Sequence, residues 1–377
     1  MKKFIINCLC AGILSGTALA AAAQAPLSVA LHNPAGVTGG LVEVDYAMVA
    51  AQWSPLGKGA FKVLNAATGK EVPYQVLTEG TGRPVKILLD IPLKAGASAT
   101  IRFVEGKPAP VAAKTYGRYV PERKDDFAWE NDRVAFRMYG KALEATPKEM
   151  AYGVDFWNKR TENLVINKWY KRANYHKDEG EGLDYYHVGL TLGAGGIAPY
   201  LEDSIWFSRN YTGHRTLDSG PLRTTFELSY DAWQVGGKPV TVTKTVSLDA
   251  HAQLSKMQVR YSQSLPVAIG IIKRKEPGAI LLQEASGVMG YWEPQHGADG
   301  TTGIGCIVLA PVKEMKVEKG HVLSVSATDG SGAITYYTGG AWDKAGLIKN
   351  ADQWFRYLQE QAETLRQPVT AKIIQKK

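Results

Sequence analysis

The stretch TTFELSYDAWQVGGKPVTVTKTVSLDA, residues 224–250, decides the fold. Its two long runs alternate apolar and polar side chains, which is the period of a strand with one buried face. Between them, Gly236-Gly237 is the signal for a tight hairpin turn. DRVAFRMYG (132–140) and SKMQVRYSQ (255–263) alternate in the same way. Helical periodicity is scarce. Long strands joined by tight turns predict an all-β protein whose main body, residues 115–377, is a large supersandwich-like β-sandwich with a concave face suited to a glycan.

Working outward, SVALHN, LVEVDYAMV, FKVLN, VKILLDIPL and ATIRFVEG read as short strands of a smaller N-terminal sandwich unit spanning 26–107. In LVEVDY, Val42, Val44 and Tyr46 share one face. The Pro/Ala-rich segment 107–113 reads as a linker. One helix is expected, NADQWFRYLQEQAETL, capped by Asn350, with Trp354, Leu358, Ala362 and Leu365 on one face. Pro368 ends it, and TAKII offers a last edge strand.

The N-terminus joins Lys2 and Lys3 to a short apolar core and small residues, the pattern of a secretory signal peptide over residues 1–22. The expected location is periplasmic or secreted, without membrane insertion. Cys8 and Cys10 leave with the signal, so Cys306 is the one cysteine of the mature chain and no intrachain disulfide forms. Stability then rests on the apolar core, which about 350 residues supply easily. Loss of the two lysines lowers the net charge from +8 to +6, spread without a basic run. That argues against a nucleic-acid partner and fits a bias toward acidic small ligands. The sequence sets no oligomeric state.

GxxxxGK[ST], HExxH, CxxC and GxSxG are absent. LGAGG (192–196) lacks the spacing of a dinucleotide loop. Cys306, in GIGCIVLA, reads as a buried structural thiol. DEGEGLD (178–184) crowds carboxylates among glycines and reads either as a solvated acidic turn or as a ligand set for a structural divalent cation. No other metal or cofactor is indicated.

Four constellations carry possible chemistry. In GRYVPERKDDFAWENDRVAF, Arg123 is placed to grip a carboxylate or sulfate, Trp129 to stack on a sugar ring, and Glu130 and Asn131 to add polar contacts. In YHKDEGEGLDYYHVG, His176 lies near Glu179 and Glu181, while Asp184, Tyr185 and His187 follow on a strand. In SRNYTGHRTLDSG, His214 and Arg215 are adjacent in a loop, with Arg209 nearby. GYWEPQHGADG offers Trp292 as a wall of a subsite. His176, His214, Arg215 and Tyr185 are the expected catalytic groups; Arg123, Trp129, Glu130, Asn131, Asp184, Arg209 and Trp292 the expected substrate contacts. Arg123, His176, Tyr185, His214 and Arg215 are expected to share one cleft. Surface turns with mutually paired charges are the plainer reading of each segment.

GRYVPERKDDFAWENDRVAFRMYG, GVDFWNKR, YHKDEGEGLDYYHVGLTLGAGG and the tail GGAWDKAG…ADQWFRYLQE together resemble a bacterial family catalogued as domain of unknown function number 4861. The resemblance implies an exported protein of polysaccharide-degrading bacteria, associated with uronate-containing glycans such as ulvan and pectin. It also implies an oligosaccharide dehydratase activity, in which water is removed from a non-reducing-end uronic acid to give a 4,5-unsaturated uronyl unit. It assigns no catalytic residue. Such an elimination needs a base for the C5 proton, a cation for the substrate carboxylate, and an acid for the departing C4 hydroxyl. Glycoside hydrolysis would instead need a pair of spaced carboxylates, for which Glu130, Asp132, Glu181 and Asp184 are available. A glycan-binding protein without chemistry would use the same aromatics and arginines.

Overall fold

The structure, a computed structural model, describes residues 25–375 apart from 58 and 173. The signal-peptide segment and its two cysteines lie outside the described residues.

Two small antiparallel sheets form the N-terminal unit. One holds Thr370–Ile373, Leu27–His32, Ser98–Glu105 and Phe61–Asn65 in spatial order; the other holds Val42–Asp45, Lys86–Leu89 and Tyr74–Leu77. Alternate residues such as Val29, Leu31, Val44, Val63, Ile87 and Phe103 meet between them around Trp53. The sequence reading fails at LVEVDYAMV. The strand stops at Asp45, whose side chain accepts from the Met48 amide and starts a short helix, Tyr46–Ala50. Tyr46 therefore leaves the strand, although it still packs, half-buried, against the core that holds Val42 and Val44; local capping overrides strand continuation here. Residues 107–114 carry no regular structure.

The rest of the chain builds three larger antiparallel sheets. The eight-stranded sheet runs Gly213–Ser219, Arg223–Val235, Lys238–Asp249, Leu254–Tyr261, Ala333–Trp342, Thr302–Val308, Val288–Trp292 and Ala279–Gln283. Its central hairpin turns at Gly236 and Gly237, with φ of 56° and 78°, which glycine adopts without strain. One five-stranded sheet contains Gly182–Leu183, Asp155–Lys159, Ala135–Met138, Asp126–Asn131 and Thr115–Val120. The second contains Ser204–Ile205, Ala194–Leu201, Pro266–Ile272, His321–Ala327 and Val312–Glu318. Phe127, Trp129 and Phe136 from the first, Ile197 and Ile269 from the second, and Phe226, Val246, Met257 and Tyr336 from the eight-stranded sheet belong to one core. The protein is thus mostly β, with several antiparallel sheets and a C-terminal helix.

That helix, Ala351–Arg366, is capped as its sequence requires, the Asn350 side chain accepting from the Gln353 amide at 3.0 Å. Trp354, Leu358 and Ala362 are buried on the eight-stranded sheet. Gly290 and Gly305, opposite each other in register, leave the flat floor this needs, since a Cβ at either would meet Leu358 within 2.9 Å. The chain then crosses to the N-terminal unit, where Thr370–Ile373 pairs with Leu27–His32. No helix among the described residues is long and apolar enough to cross a membrane.

Candidate functional site

The sheet that includes Asp126–Asn131 sends Phe127, Trp129, Phe136 and Phe156 into the shared core. Strand alternation therefore turns Asp126, Ala128, Arg137, Asp155 and Trp157 to the opposite face. That face does not meet water. Residues 160–172 and 174–185 double back over it, and Val165, Ile166 and Trp169 pack on Val120, Ala128, Ala135 and Trp157. Under this cover lies the densest buried charge of the site sheet. Arg137 Nε and Nη2 both donate to Asp155 Oδ2, at 2.8 and 2.5 Å. Nη2 also donates to Asp184 Oδ2 at 3.0 Å, and Nη1 to the Tyr175 hydroxyl at 3.1 Å. Asp126 Oδ2 lies 3.4 Å from Nη1 and accepts from the Tyr170 hydroxyl at 3.1 Å. The guanidinium also sits over the rings of Tyr139 and Trp157.

One cation thus faces three carboxylates, all at most 4% exposed at the side chain. Burial pushes the Asp126 carboxyl up to about 6, against the pull of Arg137 and Arg123. Burial, and then the charge of Asp155, hold Asp184 well above the usual carboxylate range. Asp126 Oδ1 is buried without a hydrogen-bond partner, a place where a donor is missing.

His176 and Arg123 form the open edge of this cluster. The His176 side chain is 58% exposed, its ring packs on Tyr175 at 4.4 Å, and its Nδ1 lies 2.7 Å from the Asp184 carbonyl oxygen. A carbonyl only accepts, so Nδ1 carries the hydrogen and, in the neutral ring, Nε2 is left bare. Nε2 has no partner among the described residues. Arg123, 30% exposed at its side chain, hydrogen-bonds Tyr175 and lies 3.6 Å from a Glu149 oxygen. The Tyr175 hydroxyl therefore stands between two guanidiniums. An acceptor imidazole, a phenol and a half-exposed arginine on one rim can move protons beside an anion.

Of the residues singled out by sequence, Arg123, His176 and Asp184 meet here. The others lie elsewhere. Trp129 is fully enclosed, stacked on Phe136 at 5.2 Å with its indole N–H donating to Ser255, so no sugar ring reaches it. Glu130 is buried against Lys159 at 2.8 Å and accepts from the amides of Val165 and Ile166, which anchors the covering segment. Asn131 is buried and spends its amide on the carbonyls of Asp249 and Ala252. These three are structural because the strand they occupy is covered on both faces. Tyr185 turns away from Asp184, donating to Thr302, which donates to Asn158, and stacks on His296 at 4.6 Å. Burial pushes its phenol up, which disfavours a base role near neutrality. His214 and Arg215 occupy an edge strand rather than a loop. His214 stacks on Tyr119 at 4.2 Å, and Arg215 pairs with Glu227 on the exposed side. Arg209 pairs with Glu144, and Trp292 packs with the C-terminal helix.

The acidic turn is neutralised by protein cations: Asp178 pairs with Arg160, Glu179 with Arg172, and Glu181 with Lys168 and Arg172. Among the described residues no group of three His, Cys, Asp or Glu is arranged to hold a metal. Cys306 is buried and its thiol donates to Thr338; burial pushes it up to about 12. Arg137, Asp155 and Tyr175 were not legible as site residues. Their one signal is that Arg137 and Asp155 stand in strands at positions that alternation assigns to solvent.

Fold and site together define a multi-sheet β protein with a covered, charge-dense patch edged by a histidine and an arginine. The chain belongs to the family described as Domain of unknown function (DUF4861), which matches residues 35–371. A curated relative, "Uncharacterized protein P7" of Formosa agariphila, is 29% identical over 336 residues, 83% of this chain and 84% of that protein. Among solved structures, one described as a protein in the glycosyl hydrolase family 38 from Enterococcus faecalis aligns with a TM-score of 0.52 at 11% identity, covering 93% of this chain and 47% of that one. Another, an alpha-mannosidase from the same species, has a TM-score of 0.48 at 9% identity over 93% and 46%. The chain spans about half the length of these structures, and the likeness is one of fold.

Proposed function

We propose that the protein is a carbohydrate-active enzyme that removes water from a terminal uronic acid of an acidic oligosaccharide. The observation that carries this reading is His176, whose Nδ1–H is fixed on the Asp184 carbonyl, leaving Nε2 free, and whose ring packs on Tyr175, the residue that Arg123 also contacts. Arg123 takes the substrate carboxylate, where negative charge grows as the C5 proton leaves. Nε2 of His176 accepts that proton. The C5–C4 double bond forms, and the C4–O bond breaks. The hydroxyl departs as water with a proton from the Tyr175 hydroxyl, whose residual charge lies between two guanidiniums. Asp184, its carboxyl bonded to Arg137, positions the loop that holds the imidazole.

Hydrolysis is the second reading. It is favoured by the fold likeness to a protein described as glycosyl hydrolase family 38. The site also holds three carboxylates, of which burial holds Asp126 and Asp184 above the usual carboxylate range, the direction a general acid needs. Against it, these carboxylates are buried and engaged by Arg137. Incubation with uronate-ended oligosaccharides separates the two. Dehydration gives the ultraviolet absorbance of a conjugated uronyl product and a mass loss of one water from an intact chain. Hydrolysis gives shorter chains without that absorbance. His176→Ala is expected to lower kcat by about 10²–10⁴-fold at an unchanged melting temperature; full activity of this variant would remove the imidazole from the mechanism.

A further inference from the structure

The inward row of Lys238–Asp249 reads Val240, Val242, Lys244, Val246, Leu248. Its middle member is a lysine, 6% exposed, between Leu228 and Val259 in register, both buried. Among the described residues the Lys244 ammonium has no hydrogen bond and no ion pair; it stands over the Tyr230 ring, 4.4 Å from Nζ to the centroid. Lys244 lines a narrow pocket where the three large sheets meet. Met257 and Tyr336 come from the lysine's own sheet, Met138 from the site sheet, and Ile197 from the third. Tyr152 and Phe207, half-buried and stacked at 5.8 Å, stand at its outer side. No carboxylate lines it.

We propose that this cavity is a site for a small monovalent anion, of halide size, held by the Lys244 ammonium. A buried cation needs a compensating charge or several acceptors, and among the described residues no carboxylate lines the pocket; the Tyr230 face meets the ammonium and the neutral Ser208 is nearby. Burial pushes the amine down to about 8, so at neutral pH it is still mostly protonated. A water would offer one acceptor and leave the charge uncompensated. The cavity is narrow, with room for about one water-sized sphere, which excludes sulfate, phosphate and sugars. Met138 and Met257, unbranched and polarisable, can adjust around a slightly larger ion. The site is separate from the Arg137 cluster, and its occupant acts on stability: it neutralises the one cation at the junction of three sheets.

The test uses the whole protein and bromide. Crystals grown or soaked in sodium bromide are expected to show an anomalous peak within about 3.5 Å of the Lys244 Nζ. In solution, chloride or bromide is expected to raise the melting temperature by about 2–4 °C over isethionate at equal ionic strength, saturating with concentration. Lys244→Met should lose that increment. A water without anomalous signal at Nζ, or a halide increment that persists in Lys244→Met, overturns the proposal. If the variant does not fold, the bromide map of the unmodified protein decides alone.

Discussion

Asp126→Asn is expected to stabilise the protein, and by an amount that grows with pH. Asp126 is fully buried, and its carboxyl is pushed from an ordinary 3.8 up to about 6. A raised carboxyl binds its proton more tightly in the folded state. Its favourable contribution is therefore complete below pH 3.8 and is lost as pH rises through 6. Relative to a group that never ionises, the wild type loses under about 1 kcal/mol at pH 4 and about 3 kcal/mol at pH 7. Asparagine keeps an acceptor for the Tyr170 hydroxyl and puts an N–H where Oδ1 now lacks a partner. Any fixed packing difference between the two side chains is the same at every pH, so the slope is the diagnostic. In thermal melts from pH 4 to pH 7 the gap between variant and wild type should widen by roughly 3 °C in favour of the variant. A flat gap, or one that closes as pH rises, would refute the claim that Asp126 is held above its ordinary range. If the site reading is right, the gain in stability comes with altered activity, since the charge of the cluster has changed.

Trp129→Ala should destabilise by about 3–5 kcal/mol, because it empties a core position; unchanged melting with a raised KM would instead restore the sugar-stacking role. Lys159→Met strands Glu130 in the interior and should lower stability by about 3–5 kcal/mol. The double variant with Glu130→Gln should recover part of that loss, as denaturant titration can show, and strict additivity would argue against coupling. Deleting residues 369–377 removes the partner of Leu27–His32 and bares a strand edge. Light scattering should then show concentration-dependent association, and a monodisperse truncated chain would count against the exposed edge.

Much of the architecture was legible because it rests on local rules. The Gly236-Gly237 hairpin, its two long strands, and the Asn350-capped helix with its Trp354–Leu358–Ala362 face all follow from period and turn chemistry. Local rules also explain the failure at Tyr46, where a capping Asp45 converts an alternating run into a helix. The site was half legible. His176, Asp184 and Arg123 carry recognisable chemistry, and the covering segment that holds two of them was the most reactive-looking stretch of the chain. Arg137 and Asp155 were hidden because period two tells which residues share a face but not what lies over it. The same blindness made Trp129 and Glu130 look accessible. Lys244 differs: a single cation in a row of inward valines is visible in the sequence once the parity of the strand is fixed.

The strand Thr370–Ile373 lies beside Leu27–His32 across a separation of 338 residues between Thr370 and His32. At a synthesis rate of about 5–20 residues per second, roughly 20–70 s pass between the appearance of the two partners. For that interval the first sheet waits with one side unpaired, while the intervening sheets have time to form. Closure of the N-terminal unit is then the final topological event, and its rate is set by how soon the tail finds its groove. Two copies emerging close together hold interchangeable tails, so the element most readily traded between them is this one, giving a swapped dimer in which every pairing remains native.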